Sequence, residues 1–132
     1  MKLREYFQEK SGTGVLATAA GNGEVDTAIY STPHIMEDGT IAFIMRDRLT
    51  RKNLLENPHA SYLFLEAGGR YRGVRLFLKK VKEDTDPELV AAMTRRHLTP
   101  EEDQAKGPKF LVYFSVTQIL PLIGPGESGV AI

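Results

Sequence analysis

Short apolar runs separated by glycine-bearing turns constrain this chain more than any other feature. Gly21-Asn22-Gly23 divides residues 15–19 from residues 25–32, and Glu37-Asp38-Gly39 divides the latter from residues 40–45. Glycine, asparagine and aspartate tolerate positive φ, so both triplets read as hairpin turns between antiparallel strands. The turn at 37–39 is expected to pair the strand 25–32 with the strand 40–45. Further strands are expected at residues 60–66, 74–81 and 110–116, the last extended toward Leu122.

Helical spacing is confined to the margins of these runs. Leu3, Tyr6 and Phe7 fall at i, i+3 and i+4, one face of a short helix. Leu54 and Leu55 follow Thr50, a candidate N-cap, and Asn57-Pro58 ends that helix. Asp86-Pro87 starts a third, with Leu89, Val90 and Met93 as its apolar stripe and Arg95, Arg96 and His97 at its negative end. Residues 98–109 read as a charged loop, and the Gly-rich residues 124–132 as a fraying tail. The expectation is one mainly β domain over residues 1–132, an antiparallel sheet or small β-barrel of six strands with marginal helices.

Composition removes several classes of function. The 132 residues carry 17 Lys+Arg against 17 Asp+Glu, so no bulk positive charge is available to grip nucleic acid. There is no cysteine, which removes disulfides, thiolate nucleophiles and Cys-ligated metals. No apolar run approaches the roughly 20 residues that cross a bilayer as a helix, and the charged N-terminus is no secretory signal. The expected setting is the cytoplasm, with neither nucleic acid nor membrane as partner.

The most informative stretch runs from Met45 to Asn53. Arg46, Arg48, Arg51 and Lys52 precede and enter the helix expected after Thr50. A helix N-terminus carries roughly +0.5 charge, so cations there are misplaced unless an anion joins them. A phosphate monoester would take the free N–H groups, the Thr50 hydroxyl and the guanidinium groups together. The same residues also read, with equal weight, as a solvated basic turn. The half-polar strand around Thr27, Tyr30, Ser31 and Thr32 is either an ordinary strand with one wet face or the flank of a flat ligand. Arg70, Tyr71, Arg72 and Arg75 form a second basic segment, solvated or reaching an anion across a subunit boundary. His34, His59 and His97 match no metal-binding spacing.

These segments resemble the FMN-binding split-barrel proteins, a family that includes pyridoxamine 5′-phosphate oxidase. The likeness is carried by Gly14-Val15-Leu16-Ala17-Thr18, residues 25–32, residues 39–45, residues 48–58 and the phrase Asn57-Pro58-His59-Ala60-Ser61-Tyr62-Leu63-Phe64. It implies a six-stranded, Greek-key-like split barrel and a homodimer with FMN at the subunit interface. It implies that Arg48, Thr50, Arg51 and Asn53 hold the phosphate. Ile29, Tyr30, Ser31 and Thr32 would flank the ring or ribityl chain, and Ile44, Met45 and Arg46 would line the other side. Backbone N–H groups near residues 29–31, or Arg46, would meet the N1–O2 edge of the flavin.

The pattern departs from the oxidase in two places. Arg48-Leu49-Thr50 stands where the oxidase has a Ser-Arg-Lys run, and Ala28 stands where it has a phosphate-binding arginine. The oxidase's C-terminal substrate-binding extension has no counterpart in residues 1–132. The expectation is therefore an FMN-dependent oxidoreductase or electron carrier acting with a small-molecule reductant or substrate, rather than the pyridoxamine phosphate oxidase itself. No protein residue is expected to be catalytic and no metal is expected, because the flavin carries the chemistry. The alternative is a non-catalytic module on the same barrel for haem, F420 or another anionic ligand, with His34, His59 and His97 as the histidines open to haem.

Overall fold

The computed structural model describes residues 1–95 and 98–132. Helix α1 (Leu3–Glu9) precedes β1 (Gly12–Ala19), β2 (Val25–Ile29), β3 (His34–Ile35) and β4 (Ile41–Arg46). Helix α2 (Leu49–Glu56), β5 (His59–Glu66), β6 (Gly73–Asp84), α3 (Pro87–Met93), α4 (Pro100–Ala105) and β7 (Lys109–Pro121) complete the order. The strands form one antiparallel sheet in the order β2-β1-β5-β6-β7-β4-β3. No pairing between β2 and β3 closes the ring among the described residues.

The strands' period-2 alternation builds the core. Leu16, Tyr62, Phe64, Leu76, Phe43 and Phe114 turn to one interior, and Leu3 and Tyr6 of α1 pack into the same cluster. The strand β4 is buried on both faces, which explains its unbroken apolar run. Ile41, Phe43 and Met45 face the main core. Ala42 and Ile44 face a second cluster with Leu111, Tyr113 and Val90 beneath α3. Bulges between Phe77 and Leu78 and between Lys80 and Lys82 bend β6 between its two partners, β5 and β7.

Several expectations change. The strand expected over residues 25–32 ends at Ile29 and pairs only with β1, and the 37–39 turn pairs the extra strand β3 with β4. Among the described residues the sheet therefore has seven strands, not six. The charged loop of residues 98–109 contains α4, started by a capping box. Thr99 accepts from the Glu102 N–H, and Glu102 reaches back to Thr99. That signal, Thr99-Pro100-Glu101-Glu102, was present in the sequence. Helix α3 has its Asp86 cap and Pro87 start but ends at Met93. Of the cations expected at its end, Arg95 lies beyond the helix, and Arg96 and His97 lie outside the described residues. The tail does not fray freely: Ala131 accepts from the Leu3 N–H at 2.7 Å and donates to the Met1 carbonyl at 3.0 Å.

Gly14 of β1 lies across from the point where the chain leaves β2. The Tyr30 N–H donates to the Gly14 carbonyl at 3.0 Å, and the Tyr62 hydroxyl donates to the Tyr30 carbonyl at 3.1 Å. A Cβ on Gly14 would stand 1.8 Å from the Tyr62 hydroxyl and 2.5 Å from the Tyr30 carbonyl oxygen. Gly14→Ala is expected to lower stability by about 1–3 kcal/mol, the usual cost of overpacking. A urea midpoint unchanged from wild type would contradict this.

Candidate functional site

Helix α2 starts without a cap. Its N-cap is Arg48, not Thr50, and Arg48 makes no side-chain capping bond. The first turn holds no acidic residue. The first intrahelical bond is from the Lys52 N–H to the Arg48 carbonyl, so the N–H groups of Leu49, Thr50 and Arg51 precede the ladder. The Thr50 side chain is buried at this end.

This helix start opens into a cleft of about 600 Å³. One wall is formed by Asp26 and Ala28 of β2 and by the chain that continues through Tyr30, Ser31 and Thr32. Residues 42–46 of β4 form the floor, and Met93, Arg95, Leu98, Lys106 and Lys109 complete the lining. Nine of the eleven expected site residues line it: Ile29, Tyr30, Ser31, Thr32, Ile44, Met45, Arg46, Arg48 and Thr50. Tyr30 packs edge-on against Phe43, with ring centroids 5.8 Å apart. Burial raises the Tyr30 phenol above its ordinary value, while the Thr50 hydroxyl and the Arg48 charge act in the opposite direction.

Arg51 and Asn53 do not line the cleft. The Arg51 guanidinium donates to Glu83 of β6 at 2.7 and 3.2 Å and to Asp47 at 3.0 Å. It also lies 3.6 Å from the centroid of the Phe110 ring. The protein's own carboxylates thus resolve its misplaced charge. Asn53 is buried and donates to the Thr18 hydroxyl at 3.1 Å, which docks α2 onto β1.

Arg46 lines the cleft, but its terminal nitrogens donate to the Gly107 carbonyl at 2.6 Å and to Asp103 at 2.7 Å. Lys109 reaches the same Asp103 oxygen at 3.1 Å. Arg46 and then Lys109 hold the Asp103 carboxyl below its ordinary range. The Tyr30 N–H, expected to be free for a ligand, is used by Gly14.

The second basic segment lies apart from the cleft. Arg75 donates to the Pro121 and Gly124 carbonyls at 2.9 and 2.7 Å, and Arg70 and Arg72 border a shallow recess with Glu66. His34 lines the cleft, whereas His59 is exposed at the start of β5. Sequence reasoning did not place His34, Arg95, Lys106 or Lys109 at the cleft. The dense charge of residues 95–109 was the available signal, but only the return of this segment across β4 gives it a target.

A family model described as pyridoxamine 5′-phosphate oxidase matches residues 2–122. Comparison with curated proteins gave no match. Among solved structures, an FMN-binding protein from Syntrophomonas wolfei subsp. wolfei superposes with a TM-score of 0.72 at 21% identity, covering 93% of this chain and 85% of its own. HupZ from Group A Streptococcus gives 0.65 at 19% identity, with 89% and 90% coverage. An F420 reductase gives 0.61 at 18% identity, with 87% and 94% coverage. At these identities the likeness establishes the fold, the split barrel, here with its ring unclosed by strand pairing among the described residues.

The Arg51–Glu83 pair generates a pH prediction. Arg51 holds the Glu83 carboxyl below its ordinary value of 4.5. Below that value the unfolded chain takes up the proton more readily than the folded one. The pair's stabilisation is therefore complete above it and lost as pH falls through the lower folded value. Both side chains are mostly shielded, at 14% and 24% exposure, so Glu83→Gln is expected to cost roughly 1–3 kcal/mol at neutral pH. The gap between wild type and variant in thermal unfolding should close on acidification. A gap independent of pH would refute the assignment.

Proposed function

The chain belongs to the pyridoxamine 5′-phosphate oxidase family, and from that premise we propose that its cleft binds FMN and that the protein is a flavin-dependent oxidoreductase or electron carrier. One observation carries the reading: an uncapped helix start, with Arg48 at its cap and Thr50 buried in its first turn, opens into a cationic cleft of about 600 Å³. That volume falls inside the roughly 300–1,000 Å³ range of small-molecule and cofactor sites.

The donor set fits a phosphate monoester. The N–H groups of the first α2 turn, the Thr50 hydroxyl and the Arg48 guanidinium would hold it. Ile29, Tyr30, Ser31 and Thr32 on one side, with Ile44 and Met45 on the other, would wall the remainder of the molecule. The Tyr30–Phe43 contact stiffens one wall. FMN, when bound, supplies the redox centre, and the chain supplies position and electrostatics.

The reading includes a homodimer. The register places Ile29, Val15 and Leu63 in one row across β2, β1 and β5, on the face opposite the core. Ile29 is 72% exposed and Val25, at the other end of β2, is 81% exposed. A second copy laid on this face would cover them, and Ile29 also borders the cleft. Leu63→Asp is expected to yield a monomer by light scattering. An unchanged mass, or a monomeric wild type, would remove this part.

Another reading of the same cleft rests on His34. Burial and then the Arg95 charge push its imidazole below the ordinary value of 6.5, a direction that favours the neutral form an axial haem ligand takes. Titrating the protein with FMN, F420 and haemin separates the readings. FMN is expected to bind at micromolar concentration, with its visible absorbance bands shifted. Charge-assisted hydrogen bonds are worth roughly 1.5–3 kcal/mol each, so Arg48→Ala with Thr50→Ala should weaken FMN more than tenfold, and Arg51→Ala should not. A Soret band lost in His34→Ala, with no FMN response, would replace the flavin reading.

A further inference from the structure

The cleft has two charged ends. Ala42, Ile44 and Arg46 follow one another on a single face of β4, and Ala42 to Arg46 spans about 13 Å at roughly 3.3 Å per residue. At the Arg46 end stand the α2 start, Lys106 and Lys109. At the Ala42 end stand His34, which pairs with Ala42 across the β3–β4 ladder, and Arg95. Arg46, Arg48, Arg95, Lys106 and Lys109 line the cleft against Asp26, and Asp103 pairs with two of them. Five cations against two carboxylates leave an excess of three positive charges. A phosphate monoester at the α2 start neutralises at most two.

Arg95 holds its place through neutral acceptors. One terminal nitrogen donates to the Thr32 carbonyl and to the Ser31 hydroxyl at 3.4 Å, and the other donates to the Pro33 carbonyl at 3.5 Å. Three of its five N–H groups are so engaged. The Nε–H and one Nη2–H have no acceptor among the described residues, so the guanidinium keeps two donors for an anion. Arg95 is in no ion pair among the described residues. The partly exposed apolar side chains of Ile44 and Met93 border the same cleft, with Ala42 buried beneath them.

We propose that Arg95 is a second anion-recognition point in the cleft, distinct from the α2 start, and that it receives the carboxylate of a small molecule whose apolar body lies along Ile44 and Met93. Assigning that molecule as the redox substrate rests on the flavin reading; the anion site itself does not. His34 reports on the site. Its imidazole is depressed by burial first and by the Arg95 charge second, with a bond to the Met93 backbone opposing both. A carboxylate docked on Arg95 would offset the second of these and raise the imidazole's titration midpoint.

The test is a histidine NMR titration of the full chain with benzoate and with benzamide, its neutral isostere, run with and without FMN. The His34 C2–H signal is identified by its loss in His34→Gln, and His59 serves as the remote control. Benzoate is expected to shift the His34 signal saturably and raise its midpoint, and benzamide is not. Arg95→Gln should weaken benzoate at least tenfold, while Arg95→Lys, which keeps the charge, should retain part of the effect. An equal response to benzamide, or an unchanged benzoate response in Arg95→Gln, overturns the proposal. The contrast between the two probes is read in the wild-type protein, so it stands even if a variant folds poorly. If FMN fails to bind while benzoate still moves His34 through Arg95, the cofactor reading falls and the anion site remains.

Discussion

The place where the chain leaves the sheet is fixed by a contact that only a residue without a side chain permits. The Tyr62 hydroxyl passes over Gly14 to reach the Tyr30 carbonyl, while the Tyr30 N–H holds the Gly14 carbonyl. With both backbone groups of Tyr30 satisfied from β1 and β5, β2 ends at Ile29 and the chain swings out through Ser31 and Thr32. That departure opens the cleft between β2 and β4. The buried aromatic cluster behind it, with Tyr62 and Phe43 centroids 5.1 Å apart, holds Tyr62 in place by close packing.

Charge is distributed around the cleft by acids that come from far along the chain. Glu83 takes Arg51, and Asp103 takes Arg46 and shares Lys109. These pairs leave Arg48 at one end and Arg95 at the other with no carboxylate partner among the described residues. Formal neutrality of the whole chain thus conceals a locally positive cleft. The field that a ligand meets depends on which cations are already neutralised, not on how many the segment contains.

The structural role of the α3–α4 segment follows from the same pairs. Helix α3 covers the outer face of β4 and β7 with Val90, and the segment then returns across β4 so that Asp103 reaches Arg46 and Lys106 lines the cleft. The capping box at Thr99 sets where α4 begins and hence where Asp103 points. A stretch with little apolar content is held by its caps and ion pairs.

Period-2 alternation, glycine-bearing turns and the Asp86-Pro87 helix start were legible from neighbours in sequence, because each depends on local dihedrals and a local solvent boundary. They specified a mainly antiparallel β chain with marginal helices, and they drew the eye to residues 29–32 and 44–50. Thr99-x-x-Glu102 was equally local and equally readable. The fate of Arg51 and Asn53 was not, because Glu83 lies 32 residues from the one and Thr18 lies 35 from the other. Nor was the strand that pairs with β4, since a two-residue β3 has too little pattern to announce itself. Sequence determined which segments alternate, turn and coil. Tertiary structure alone decided which cations meet a carboxylate and which face the cleft, since ion pairing acts through space and burial, and neither is encoded by spacing along the chain.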